Sequence, residues 1–283
     1  MNCYLCKSES FTKRKGQVRD AAEISILECE DCGLVALSNS ERIKADFYEK
    51  SGMHGANLIP IDEWLKGTEW DDQRRFEMLE PMLSNKKLLD FGCGAGGFLL
   101  KSQSVAAEVV GIELESRVRD YWAGRLPLYE SVVAAPRRKY DLITAFHVVE
   151  HLIDPKVMLQ QLSSSLSGGG RLIVEVPSSE DALLTLFDNG PFQHFTYWSQ
   201  HLYLFNAETL RKLAEQAGLR VLSIQQFQRY PLSNHLHWLS MGVSGGHKKW
   251  GFLDSPELNS AYANALAAIG KCDTLIGHFE VAK

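Results

Sequence analysis

Two cysteine pairs, an aspartate ahead of a run of glycines and a later cluster of histidines and aromatics are the residues of this 283-residue chain whose types and spacing can do chemistry. Cys3 and Cys6 form one Cys-x-x-Cys pair, Cys29 and Cys32 another, with 22 residues between the pairs. Each pair presents two thiolates from one tight turn, and two such turns complete a tetrahedral set suited to structural Zn. A closed four-sulfur set leaves no position for water, so it contributes folding energy and not catalysis. The remaining two, Cys93 and Cys272, stand alone and read as small packing residues, Cys93 also lining the glycine run.

Leu89-Asp90-Phe91-Gly92-Cys93-Gly94-Ala95-Gly96-Gly97 lies between a strand-like and a helix-like segment. Glycines there permit a tight turn and close approach of a ligand to the backbone, as a nucleotide loop requires. Gly92, Gly94 and Gly97 also satisfy G-x-G-x-x-G, which keeps a nicotinamide-dependent oxidoreductase open. Asp90 shifts the balance, because a carboxylate at that point can pair with the ammonium of an amino-acid ligand and would repel a pyrophosphate. Glu113 ends the next strand, where it can accept both ribose hydroxyls of either ligand, and Leu114 follows it at the cofactor edge.

Asp90, Gly92, Gly94 and Gly96 resemble the acid-x-G-x-G-x-G motif of the class I S-adenosylmethionine (SAM) dependent methyltransferases. Tyr140-Asp141-Leu142-Ile143, followed by His147-Val148-Val149-Glu150-His151-Leu152-Ile153-Asp154-Pro155, is similar to that family's fourth strand and its Glu-His-x-x-Asp-Pro sequel. The resemblance covers about residues 86–283. It implies SAM as cofactor and a Rossmann-like, doubly wound α/β fold with seven strands in the order 3-2-1-4-5-7-6, the last antiparallel. It further implies that Ser131 and Val132 flank the adenine, although many members carry an Asp there and this chain offers Glu130 and Ser131. The backbone of His147 is expected near the SAM sulfur or carboxylate. One of Arg74 and Arg75, taken as Arg75, is expected at the carboxylate, a solvated pair being the alternative.

Methyl transfer requires an aligned acceptor, exclusion of water and often removal of a proton, a task for a histidine. The aromatic stretch Phe192 to Phe205 follows the fifth strand, where loops face the ligand crevice. Together with the cysteine pairs it is similar to the deoxysugar C-methyltransferases, matching at His201, Tyr203 and Phe205 with Tyr197 upstream. Gln200 stands where that group has Glu, and the chain ends without their long C-terminal domain. We read His201 as general base positioned by Gln200, with Tyr203 or Tyr197 hydrogen-bonding the acceptor and His194 a second candidate base. A helix-capping or pocket-filling role is the alternative for His201. Glu150 and His151 can orient substrate, bind a metal or serve the structure. His235, His237, Trp238 and Gly245-Gly246-His247 fall in a long insertion that can close over an acceptor or form a dimer contact.

Around these residues, apolar runs alternate with helical segments: strands at about 88–91, 109–113, 128–133, 140–146, 171–176, 220–228 and 273–281 imply a parallel sheet. Helices are expected at 96–105 and 116–123, from Asp154-Pro155, from Asn206 to Gly218, and near 257–268. The organisation read from this is a zinc-binding module over residues 1–40, a helical cap over 41–84, helical from 74 to 83, and a SAM-binding domain over 85–283 with substrate-covering insertions near 188–205 and 232–255. The net charge of −5 and isoelectric point near 6.0 do not indicate a nucleic-acid partner. No signal peptide or membrane span is visible, so the expectation is a cytoplasmic monomer or homodimer. The acceptor implied by the resemblance is a small polar molecule, a nucleotide-linked sugar or a related biosynthetic intermediate. An RNA methyltransferase with a zinc-ribbon recognition module is the alternative, against which stand the acidic balance and Val176-Pro177-Ser178 in place of an Asn-Pro-Pro-Tyr motif. A non-catalytic zinc ribbon would leave Asp90, the glycine loop and Glu113 without purpose.

Overall fold

Three short strands near the N-terminus, β1 (Phe11–Lys13), β2 (Ile26–Cys29) and β3 (Val35–Leu37), pair as an antiparallel meander. The structure, a computed structural model, describes residues 1–38 and 58–282. Phe47 and Tyr48, read as part of the cap, lie outside the described residues. From residue 61 to 83 the cap is one helix, α1 (Ile61–Leu83), which begins a dozen or so residues before the expected stretch.

The alternating pattern then unfolds as expected: β4 (Lys87–Phe91), α2 (Gly97–Ser102), β5 (Glu108–Ile112), α3 (Ser116–Trp122), β6 (Leu128–Tyr129), β7 (Tyr140–Phe146), α4 (Pro155–Ser164) and β8 (Leu166–Pro177). After β8 come α5 (Ala182–Thr185), α6 (Gly190–Thr196), β9 (Tyr203–Leu204), α7 (Ala207–Gln216), β10 (Leu219–Phe227), α8 (Leu232–Met241), α9 (Gly246–Lys249), α10 (Pro256–Ala268) and β11 (Thr274–Val281). Seven of these strands form one sheet in the order β6-β5-β4-β7-β8-β11-β10, with only β11 antiparallel to its neighbours. Counted from β4, this is the expected 3-2-1-4-5-7-6.

Both faces of the central strands are covered, which is why they read as continuous apolar runs. Leu89, Ile143, Leu172 and Val174 pack into one cluster with Leu159, Leu210 and Leu213 of α4 and α7. Leu88, Leu142 and Ile173, one residue out of phase, face Leu79, Phe98 and Val118 of α1, α2 and α3. The end signals act as the sequence predicts. Asp154 accepts from the Val157 amide across Pro155 at the start of α4. Asn206 and Thr209 form a reciprocal capping box at α7.

Two expectations change. The third strand, expected to run to Val133, stops at Tyr129, because Ser131 takes the Ala134 amide onto its hydroxyl at 3.1 Å and turns the chain. The insertion 232–255, read as a long loop, is helical: α8 opens after Pro231 and closes at Gly242 in the left-handed region, followed by α9. At that spacing His235 and Trp238 fall on the buried side of α8, and His237 is buried with them.

The N-terminal module does not stand alone. Its β3 pairs antiparallel with β9, Val35 opposite Leu204 and Ala36 opposite Tyr203. Val18, Ile24, Ile26 and Val35 share a core with Leu184 and Tyr197. A module too small to bury its own apolar surface is completed by the segment that carries His201.

Candidate cofactor and acceptor site

The backbone at the end of β4 turns sharply. Gly92 has φ +72°, and a Cβ there would collide with Val148; Gly96 has φ +86°, and a Cβ would lie 2.8 Å from Trp122 Nε1. The loop borders a cavity of about 390 Å³ whose walls include Asp90, Cys93, Gly94, Glu113, Leu114 and His147. From the opposite side α1 contributes Trp64, Thr68, Asp72 and Arg75.

Besides Asp71, which is ion-paired, three carboxylates line this cavity, Asp72 and Asp90 buried and Glu113 half-buried. Asp90 is 2% exposed, accepts from Thr144 Oγ1 at 2.6 Å and is pushed up to about 7 by burial. Glu113 is likewise pushed up to about 7 by burial, its oxygens held by the Gly94 and Glu115 amides at 2.9 Å. Asp72 accepts from Thr68 Oγ1 at 2.8 Å and is also raised by burial. A ligand that brings an ammonium, a sulfonium and ribose hydroxyls satisfies such a wall; a pyrophosphate does not. These residues therefore fit SAM. Burial, with Glu113 and Asp90 nearby, raises the Cys93 thiol well above its usual range, in keeping with a packing role.

Asp72, Thr68 and Trp64 were missed by sequence reasoning, although their four-residue spacing on one helix face was the available signal. Arg229, at the end of β10, was also missed. It is ion-paired with Asp71 and reaches the same cavity.

Arg75 lines the cavity, but its guanidinium is already engaged. Its Nη2 lies 2.7 Å from Glu175 Oε1, and the group stacks over Phe146 at 4.6 Å. Arg74 holds the same carboxylate at 2.9 and 2.6 Å. Burial would raise Glu175; Arg75, His147 and Arg74 outweigh it and hold it well below the carboxylate range. His147 has φ +53° and sits 3.0 Å from Glu175 and 3.3 Å from Glu150. Burial works against its charge, and the two glutamates prevail, raising its pKa. Ser131 is not brought to the cavity wall; its hydroxyl is spent on the turn that ends β6.

A second cavity, of about 350 Å³, shares His147, His151 and Arg229 with the first. Glu150, His201 and Trp198 line it, the module supplies Arg19, and α8 supplies Trp238. Arg19 lies 4.4 Å over the Trp198 ring and donates to the Phe195 carbonyl at 3.2 Å.

Of the four residues expected to act on the acceptor, His201, Gln200, Tyr203 and His194, only His201 lines this cavity, and His235, Trp238, Gly245 and His247 of the insertion line it too. His201 Nδ1 lies 3.2 Å from the Thr196 carbonyl, so Thr196 and not Gln200 orients the ring. The Gln200 carbonyl instead meets His151 Nδ1 at 2.9 Å. Tyr203 faces away, because pairing of β9 with β3 turns its ring onto Tyr4, 5.1 Å away, and its hydroxyl toward the Ile153 carbonyl. Tyr197 is buried in the core of the small sheet, and His194 is exposed on α6.

The four N-terminal thiols gather as their spacing predicts. Cys3 and Cys32 sulfurs are 3.5 Å apart, Cys6 and Cys29 3.4 Å, and all four lie within 4.8 Å of one another. Both turns close alike, Lys7 N donating to Cys3 O at 3.0 Å and Gly33 N to Cys29 O at 2.8 Å. A Zn–S length of 2.3 Å in a tetrahedron requires sulfurs about 3.8 Å apart, so the donors fit a zinc ion.

The sheet order and the acid-led glycine loop, with Glu113 at the cavity wall, are those of a SAM-dependent methyltransferase fold. A methyltransferase-domain family model matches residues 64–224, and the chain belongs to that family. An uncharacterized protein of Haemophilus influenzae is 30% identical over 165 residues, which are 52% of this chain and 60% of that one, so the match spans less than two thirds of that relative. A tRNA U34 carboxymethyltransferase of Campylobacter hominis is 27% identical over 221 residues, covering 70% of this chain and 75% of its own length. Among solved structures, a SAM-dependent methyltransferase from Archaeoglobus fulgidus shares the fold with a TM-score of 0.52 at 17% identity, covering 75% of this chain and 93% of that one. No helix among the described residues is long and apolar enough to cross a membrane.

Proposed function

We propose that the chain methylates a small polar acceptor, a nucleotide-linked sugar or a related biosynthetic intermediate, held in the second cavity. The observation that carries this reading is the placement of two cavities of similar size that share His147, His151 and Arg229 in their walls. SAM, when bound, supplies an electrophilic methyl on a sulfonium, taken in line by the acceptor's nucleophile as the sulfur leaves with the bonding electrons.

The chain's own residues do the rest. Asp90 and Asp72 meet the ammonium, Glu113 the ribose, and Leu114 and Cys93 line the adenosyl path. Trp198 and Trp238 give a sugar face its aromatic walls, and Arg19 offers a guanidinium for a phosphate. The module of residues 1–38, held by zinc at its four thiolates, thereby contributes to the acceptor wall as well as to stability. His201 acts on the acceptor's proton, its Nε2 left with the lone pair by the Nδ1 contact to Thr196. Burial, and then His151, push His201 down to about 3, so the ring is neutral.

His201→Gln is expected to lower methyl transfer by about 10²- to 10⁴-fold while S-adenosylhomocysteine affinity is unchanged. Turnover at the normal rate would contradict the role. The 27% identity to a protein named as a tRNA-modifying enzyme supports the second reading, an RNA acceptor. Labelled SAM offered with a nucleotide-sugar pool or with total tRNA decides between them by which pool becomes labelled.

A further inference from the structure

Glu150 is wholly buried, yet among the described residues neither of its carboxylate oxygens accepts a hydrogen bond of good geometry. Oε1 lies 3.3 Å from His147 Nδ1, an ion pair outside good hydrogen-bond geometry, and 3.9 Å from His151 Nε2. The His147 imidazolium, shared with Glu175, offsets part of the cost of burying this carboxylate, and a second cation on its other side would offset the rest.

The surroundings supply the rest of a ligand set. Glu150, His151 and His201 each offer one donor atom, and the three donors lie within 4.8 Å of one another. All three residues line the acceptor cavity. The two imidazoles are oriented in the same way: Nδ1 of His151 faces the Gln200 carbonyl at 2.9 Å, and Nδ1 of His201 faces the Thr196 carbonyl at 3.2 Å. A backbone carbonyl on Nδ1 selects the tautomer whose Nε2 carries the lone pair, the arrangement that accompanies histidine ligands of metal ions. The rings stand 4.9 Å apart, near enough for both Nε2 atoms to reach one ion after small rotations.

We propose that Glu150, His151 and His201 bind a divalent first-row transition metal in the acceptor cavity. Two imidazoles and one carboxylate select an ion of the Zn²⁺ or Co²⁺ kind over Mg²⁺, and three protein ligands leave open positions for an acceptor oxygen. This rests on the methyl-transfer reading of that cavity. A coordinated hydroxyl gives its proton to cavity water, and the oxygen keeps the electron pair that then bonds to the methyl carbon. His201 acts on the acceptor through the ion, holding it beside the acceptor oxygen without itself taking the proton. The site is separate from the four cysteines, which have no open position.

The test is a Co²⁺ titration of the purified zinc-containing protein, read by visible absorption, with S-adenosylhomocysteine affinity measured in parallel. One Co²⁺ per chain is expected to bind beyond the cysteine-held metal, with weak ligand-field bands and no thiolate charge-transfer band. Glu150→Gln and His201→Gln are each expected to weaken it by more than about 100-fold while S-adenosylhomocysteine affinity is unchanged. The proposal is overturned if no such equivalent binds, if it persists in both variants, or if its spectrum carries the sulfur band and disappears in Cys3→Ser. Loss of S-adenosylhomocysteine binding by the unaltered protein would instead remove the methyltransferase reading beneath it.

Discussion

Asp90, buried, and Glu113, half-buried, line one cavity, and cofactor binding there is expected to depend on pH. Burial raises both to about 7, so in the free protein they are largely protonated at pH 6 and largely ionised at pH 8. Because the folded value exceeds the unfolded one, the stability they contribute is fully present below about pH 4 and is lost as pH rises through about 7. Binding runs the opposite way, since an ammonium pairs with the ionised form. S-adenosylhomocysteine affinity is expected to rise about tenfold between pH 6 and 8, and calorimetry on Asp90→Asn should show that dependence reduced. An affinity that is flat or falling with pH in the unaltered protein would contradict this assignment. Asp90, Gly92 and Glu113 were legible because the loop and the end of the next strand are local features of sequence. Asp72 and Arg229 were not, since they arrive from α1 and β10 and only the fold brings them to the loop. Ser131 misled because a hydroxyl can serve its own turn as readily as a ligand.

At the scale of elements, β9 joins the module of the four cysteines to the segment that carries His201. Two residues of strand fix the segment that carries His201, and they pair with β3, whose position depends on the cysteine turns. Cys32→Ser is expected to release the metal and to speed amide exchange at Leu37 and in β9 by about 100-fold or more, leaving β4 and β7 protected. Exchange by mass spectrometry checks this, and unchanged protection in β9 would separate the knot from the cavity. The motif around the cysteines was legible because both ends of each turn are near in sequence. The pairing of β3 with β9 was not, since nothing in either short apolar run names its partner. The same blindness placed Tyr203 and Gln200 at the acceptor: side-chain direction follows from that pairing, which turns Tyr203 to Tyr4 and leaves the Gln200 carbonyl to His151. The helices α8 and α9 were missed because their His, Trp and Gly content masks a helical period.

Over the whole molecule, the alternating strand and helix signals made a doubly wound parallel sheet readable, whereas the order of its seven strands came with the resemblance carried by Asp90, Gly92, Gly94 and Gly96. Asp154 and Asn206 marked helix starts by capping chemistry that is local. The result is one sheet with a cavity at the glycine loop after β4 and a second cavity that shares His147, His151 and Arg229 with it. The most direct test of this account is a calorimetric titration of the same preparation with S-adenosylhomocysteine and with NAD. Saturable binding of one S-adenosylhomocysteine per chain and none of NAD is the predicted result. Binding of NAD without S-adenosylhomocysteine would contradict it.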